Sequence, residues 1–318
     1  MVVSAAPWEP GLVRRFFAVR AKAESASGAA LAVAVIAVSA SGPMIAYAAA
    51  PALAIAFWRT ALATGVLAPV ALTRRREIAA LATRREGIFA GLAGAALAAH
   101  FMTWVPSVKL TGIATATALV ATQPVWQGLI AVAQGRRLGR WTWVGIAVAV
   151  AGAIAATGAD VAVSRTAVAG DVLALAGAVA AAAYTALGER VRTTTTTTSY
   201  TFVCYATCAL VTLPVCLLAG VPLAGYPTTA WLAIVAITVG PQLLGHSLFM
   251  FALRRIAATT VAVVVLLEVP GAALVGWLWL GQVPRSTAWP GLGLLVIGVA
   301  IVVLAGRRTR PPVEPTPL

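Results

Sequence analysis

The chain has 318 residues, of which 61% are hydrophobic and only 10% charged, and its net charge is +14. A soluble domain of this size needs far more charge on its surface, so the composition excludes one and indicates a polytopic helical membrane protein. The basic excess would suit a nucleic-acid binder, but no soluble basic domain exists to carry it, and loops at one membrane face explain it better.

Residues 1–28 form a polar, basic tail containing Arg14, Arg15, Arg20 and Lys22. Arg14-Arg15-Phe16-Phe17 ahead of an apolar run, with Ala46-Tyr47-Ala48 behind it, imitates a cleavable twin-arginine signal. A first spanning helix explains the same residues, and everything downstream stays membranous. Ten apolar segments follow, at 29–49, 52–72, 87–107, 111–133, 141–158, 170–188, 200–220, 229–251, 259–281 and 289–306. Each is close to the roughly 20 residues that cross a bilayer as a helix. The run Thr193–Thr198 is poorly helical and reads as a loop between the sixth and seventh segments. Cys204, Cys208 and Cys216 share one apolar segment and form no metal spacing with histidine, so buried free thiols are expected. No metal or other cofactor is implied.

The basic residues fix an orientation. With both termini in the cytoplasm, 19 of the 23 Lys and Arg lie on the inner side; only Lys109, Arg165 and Arg285 lie outside, and Arg59 is intramembrane. The positive-inside rule expects that asymmetry for a multi-pass protein of the cytoplasmic membrane.

The two halves also repeat. A shift of 146 residues takes Gly94 to Gly240, His100 to His246, Pro124 to Pro270 and Gly135 to Gly281. It continues without a gap through Trp143 to Trp289, Gly145 to Gly291 and Gly152 to Gly298. Five helices per half is an odd number, so the second copy enters the membrane upside down. The organisation expected is a tail (1–28), a first five-helix repeat (29–158), a second (159–306) and a C-terminal tail (307–318). Inverted repeats are a transporter architecture, with the binding site near midplane between the halves.

These features resemble the drug/metabolite transporter superfamily, EamA type. The matching residues are Phe57-Trp58-Arg59 in the second segment, Gly170-Asp171 opening the sixth, and Glu268–Gly281 in the ninth. The chain departs from the family pattern where Val269 separates Glu268 from Pro270 and where Gln282 replaces an acid. The resemblance implies ten helices around a pocket built from the first, third, fourth, sixth, eighth and ninth. It also implies movement of small metabolites, amino acids or drugs by alternating access.

Glu268 and Pro270 form the focus of the polar membrane residues. A carboxylate at bilayer depth costs on the order of 3 kcal/mol and faces a cavity or a partner. Pro270, like Pro124 in the first half, removes a backbone donor and breaks or kinks its helix. Glu268 is a proton-coupling acid or a structural lock. Arg59, about 10 Å from its helix end at 1.5 Å per residue, snorkels outward, pairs with Glu268 or attracts an anionic substrate group. His100 shares a face with Trp104, and Gln242 with His246, at i, i+4; both faces line one cavity, or the histidines glue neighbouring helices. Gln123 and Gln127 are further cavity candidates. Trp141, Trp143 and Trp289 read as interfacial anchors, and Asp171 as a cap on the sixth helix. The expected function is proton-coupled efflux of a small solute through the bilayer, with no nucleic-acid partner and the oligomeric state open. The alternatives are an uncoupled facilitator or exchanger, and an intramembrane enzyme using Ser247 with a histidine base.

Overall fold

The computed structural model describes residues 10–111, 113–157, 165–280, 286 and 288–308. Gly281, Gln282, Arg285 and the boundary between 158 and 159 lie outside them. Hydrocarbon offers backbone groups no hydrogen-bond partner, so each crossing must satisfy its own. Helix is accordingly the only regular element among the described residues. Nine helices among them are long and apolar enough to span. They are Ser25–Tyr47, Ala52–Thr73, Arg85–Thr111, Thr115–Ala133, Arg165–Val191, Thr197–Leu218, Thr228–Ala252, Ala258–Val275 and Ala288–Gly306. The fifth in chain order, Arg140–Ala156, is apolar but shorter. Ten membrane rods result, called first to tenth below.

Four details differ from the sequence reading. Residues 10–28, expected as a tail, continue the first helix, which runs Pro10–Ser39 before a second piece, Ser41–Tyr47. The sixth helix begins at Arg165, so Asp171 lies within it and caps nothing; its carboxylate instead accepts from the Thr111 hydroxyl at 2.6 Å. Trp143, read as an interfacial anchor, also packs between rods: its indole lies over Gly128 of the fourth rod, within 2.8 Å of where a Cβ would stand. The threonine run is a loop only as far as Thr196, whose hydroxyl caps the seventh helix through Ser199 N.

Glycine decides how closely the rods approach. The fifth and tenth rods cross where a Cβ on Gly152 would stand 2.7 Å from Leu295 Cα, and one on Gly298 would stand 2.6 Å from Ala149 Cα. Farther along, Gly145 faces Val302 and Gly291 faces Ala156. The numbering rises along one rod as it falls along the other, so the pair is antiparallel. Shifting each residue by 146 maps the Gly152–Leu295 contact onto Gly298–Ala149, and Gly145–Val302 onto Gly291–Ala156. A contact that maps onto itself when the partners exchange is a two-fold contact. Because these equivalent rods run in opposite directions, that axis lies across them, and the second repeat is the first inverted. The same exchange of halves appears where the third rod packs along the sixth and the first along the eighth.

Besides the break at Ala40 in the first rod, three other rods are interrupted. The fourth is split into Ile113–Val120 and Gln123–Ala133, the ninth into Ala258–Val265 and Glu268–Leu280. Each joint is a two-residue turn lying just before its proline. Tightened bonds close both, Thr122 N to Leu119 O at 3.1 Å in the fourth rod and Leu267 N to Val264 O at 3.0 Å in the ninth. The eighth rod widens into a π-helix over Thr238–His246, centred on Pro241, which has no N–H to give to an i−4 carbonyl. The third rod, its repeat partner, stays α-helical through the equivalent stretch.

At the arginine-rich end, Gly135 (φ 80°) closes the fourth rod with bonds from Gly135 N to Val132 O and Arg136 N to Ala131 O. That Schellman turn needs the left-handed backbone that glycine adopts freely. The short helix Arg75–Ala82 places Glu77 under the start of the seventh rod. Its carboxylate accepts from Thr196 N at 2.7 Å and from the Thr196 and Ser199 hydroxyls at 2.8 Å. Partial burial alone would raise this carboxyl, but these bonds and nearby Arg74 outweigh it and hold Glu77 below the usual carboxylate range.

Both features can be tested by stability. Gly152→Leu must push the fifth and tenth rods apart and should cost about 1–3 kcal/mol, lowering the melting midpoint in detergent. Gly293→Ala, with nothing within 4 Å, should leave it unchanged. Because the folded-state pKa of Glu77 is depressed, its contribution is present above the unfolded carboxylate value and lost as pH falls through the folded one. Glu77→Gln should therefore lower thermal stability at pH about 7 and lose that deficit below roughly pH 4.

Candidate functional site

The interrupted rods surround a cavity of about 70 Å³ on the approximate two-fold between the repeats. The first, third, fourth, sixth, eighth and ninth rods line it, and the second adds Arg59. Repeat-related positions face each other across it: His100 and His246, Trp104 and Met250, Val120 and Leu266. A pocket that holds a drug-sized ligand is several times larger, so this conformation has room for a few waters or one small polar group.

Arg59 does not snorkel. It is fully buried, with Nε donating to Gln242 Oε1 at 2.8 Å and its guanidinium 4.0 Å above the Phe101 ring. Successive helical residues point about 100° apart, and the preceding Trp58 takes the outer side. Its indole donates to Leu223 O at 2.8 Å and packs edge-on against Trp231. An amide acceptor and an aromatic face thus replace the water that snorkelling would have reached. No ion pair joins Arg59 to Glu268 among the described residues. Both Nη atoms of Arg59 are buried with no hydrogen-bond partner among them.

His100 and Trp104 stack with centroids 5.9 Å apart and planes within 8°. A carbonyl can only accept, so His100 Nδ1 donates to Gly177 O at 2.9 Å, leaving Nε2 of the neutral ring with a lone pair. His246 meets Phe101 edge-on at 5.4 Å and lies 6.0 Å from the Tyr184 ring. Glu268 opens the second half of the ninth rod and is half-buried at the cavity wall. Pro124 is buried and Pro270 half-buried, each within one turn of a joint. Gln123 lines the cavity and donates to Thr185 Oγ1 at 3.3 Å. Two candidates stand apart from the wall: Gln127 is buried away from it, and Gln242 acts only through Arg59. Ser247 lies 3.0 Å from the Tyr205 hydroxyl rather than beside a histidine nitrogen.

Toward the arginine-rich end a wider vestibule of about 710 Å³ is lined by Arg136, Glu189, Arg190 and Arg254. It is at most one helical turn from the cavity along three rods: Thr185 to Ala186, Met250 to Leu253, and Val261 to Ala257. Glu189 ties this partition together. One carboxylate oxygen pairs with Arg136 at 2.6 Å and the other accepts from Ala258 N, at the start of the ninth rod, at 3.0 Å. At the far end Lys109 Nζ donates to Ala50 O at 2.7 Å.

The EamA-like transporter family matches residues 26–158 and again 168–304, once per repeat. The chain belongs to the EamA-like transporter family. This EamA-like protein is a multi-pass membrane protein of a family of small-solute transporters. A solved structure titled "Crystal structure of protein" shares its fold, with a TM-score of 0.74 and 20% identity over 90% of this chain and 99% of that one. No curated protein matches it.

Several wall residues of this EamA-like transporter escape a reading by polarity. Met250 and Leu266 could have been found by carrying the 146-residue shift from the histidines to Trp104 and Val120. Tyr184 and Phe101 carry no such signal, because an aromatic in an apolar helix is ordinarily packing.

The Glu189 tie gives a measurable outcome. A partly exposed ion pair is worth about 0.2–1 kcal/mol and the helix-end contact a similar amount. Glu189→Gln should therefore speed maleimide labelling of a cysteine placed at Ala186 by roughly two- to thirtyfold. The native cysteines are buried and should stay silent.

Proposed function

We propose that this protein is a secondary transporter of the cytoplasmic membrane, with both termini inside. In this reading it moves a small solute outward by alternating access and couples that movement to proton entry through Glu268. The position of Glu268 carries the coupling. It stands at a helix joint, on the wall of the cavity between the halves, with no counter-ion paired to it among the described residues. A membrane carboxylate not ion-paired to a cation, next to space for water, is equipped to gain and lose a proton. Its repeat counterpart is Thr122, so one proton per cycle is the natural stoichiometry.

The inverted repeats, taken as residues 29–158 and 159–306, supply two packings of the same parts. In one the cavity opens toward the vestibule, in the other toward the Lys109 end. Breaking the Glu189 contacts accompanies the first and breaking the Lys109 contact the second. The distribution of 19 basic residues against 3 supports placing the vestibule in the cytoplasm.

Proteoliposomes carrying the protein should give solute-dependent currents, against a panel of metabolites, that grow with the proton gradient. Glu268→Gln should keep the solute exchange and flatten its pH dependence. A variant whose pH dependence is intact would remove Glu268 from the coupling.

A further inference from the structure

The fully buried polar atoms of the cavity wall that lack a partner are one-sided, while the wall's acceptors include the Glu268 carboxylate and the lone pair of His100 Nε2. Among the described residues, its buried atoms without a partner are Arg59 Nη1 and Nη2, Trp104 Nε1 and Tyr184 Oη, and every one of them can donate. Behind the wall, Gln242 spends its Oε1 on Arg59 Nε. Buried donors left without acceptors are costly, and a guanidinium most of all. The Gln242 and Phe101 contacts hold the Arg59 plane in place and leave its outer fork, the edge that grips carboxylates in parallel pairs, unoccupied. The half-helix Gln123–Ala133 starts at the same cavity, so its positive end adds to the field there.

From this juxtaposition we infer that Arg59 is the anion subsite of the cavity, and that the solute carried is a monocarboxylate with an apolar body. Among the described residues, Arg59 is the one arginine or lysine on this wall. One fixed positive charge balances one negative charge, whereas a phosphate dianion would leave an excess beside Glu268. Phe249, Met250, Val261 and Val265 provide the apolar surface for the body. The cavity admits the head group in this conformation and needs its walls to part for the rest. The vestibule arginines carry no weight here, since a basic end is common to membrane proteins.

The inference rests on the transporter reading and is tested separately from it. Purified protein in nanodiscs is titrated with hydrocinnamate, hydrocinnamamide, phenethylamine and phenyl phosphate while its thermal midpoint is followed; the same probes are then used in proteoliposome counterflow. Hydrocinnamate should stabilise the wild type, and its amide should bind roughly 10- to 100-fold more weakly. Arg59→Gln should erase that preference, and Arg59→Lys, which keeps charge but not the fork, should retain part of it. Equal binding of acid and amide, preference for the amine or the phosphate, no stabilisation by the acid, or an unchanged preference in Arg59→Gln would each overturn the subsite. If Arg59→Gln does not fold, the wild-type comparison decides alone. Counterflow of the amide or amine without the acid overturns the subsite and leaves the carrier reading standing. Acid binding without movement does the reverse.

Discussion

Two helix backbones in hydrocarbon gain from contact only when nothing keeps them apart, because lipid is as apolar as leucine. The crossing of the fifth and tenth rods is built on that constraint. Gly145, Gly152, Gly291 and Gly298 remove the side chains at four points, and each point is the image of another under exchange of the repeats. The crossing fixes the antiparallel relation of the two halves. That relation sets the interrupted fourth and ninth rods opposite one another and places the cavity on their common axis. The third and sixth rods use the same device, with Gly170 against Thr111 and Gly177 against Trp104.

The polar site depends on this frame. Arg59 and Gln242 belong to rods from different repeats, 183 residues apart, and meet at 2.8 Å only because the halves interlock. A lone guanidinium in that position would be expensive. Held by an amide and an aromatic face, it becomes a buried cation at the cavity wall whose two Nη atoms have no partner among the described residues. Glu268 stands on the same wall as the acid of the site, at a joint its own proline helps to create.

Much of this was legible in the sequence. Glycine, histidine and proline recur 146 residues apart because each has a local job that survives inversion: close approach, a polar wall, a joint. The joints of the fourth and ninth rods follow from Pro124 and Pro270 for the same reason. What stayed hidden depended on partners far along the chain. The inward direction of Arg59 requires Gln242 and Phe101, which no local pattern connects to it. Asp171 looked like a cap because it seemed to open the sixth helix after a loop, yet the helix had already begun at Arg165 and the acid found Thr111 at the end of the third rod. Trp143 sat at an apparent helix end, but Gly128 opposite it made a berth for the indole.

The π-helical stretch around Pro241 has a consequence for any molecule that works by swapping the shapes of its halves. Perfect twins would hold two arrangements of equal free energy, exchanged by the two-fold axis, and would populate them equally. Here the eighth rod carries a wider coil than the third, and one joint bears an acid where its twin bears a threonine. The degeneracy is therefore lifted in the bare protein, before any gradient acts. In the alternating-access cycle proposed above, the two end states would then differ in free energy, and the forward and return strokes would climb barriers of different height.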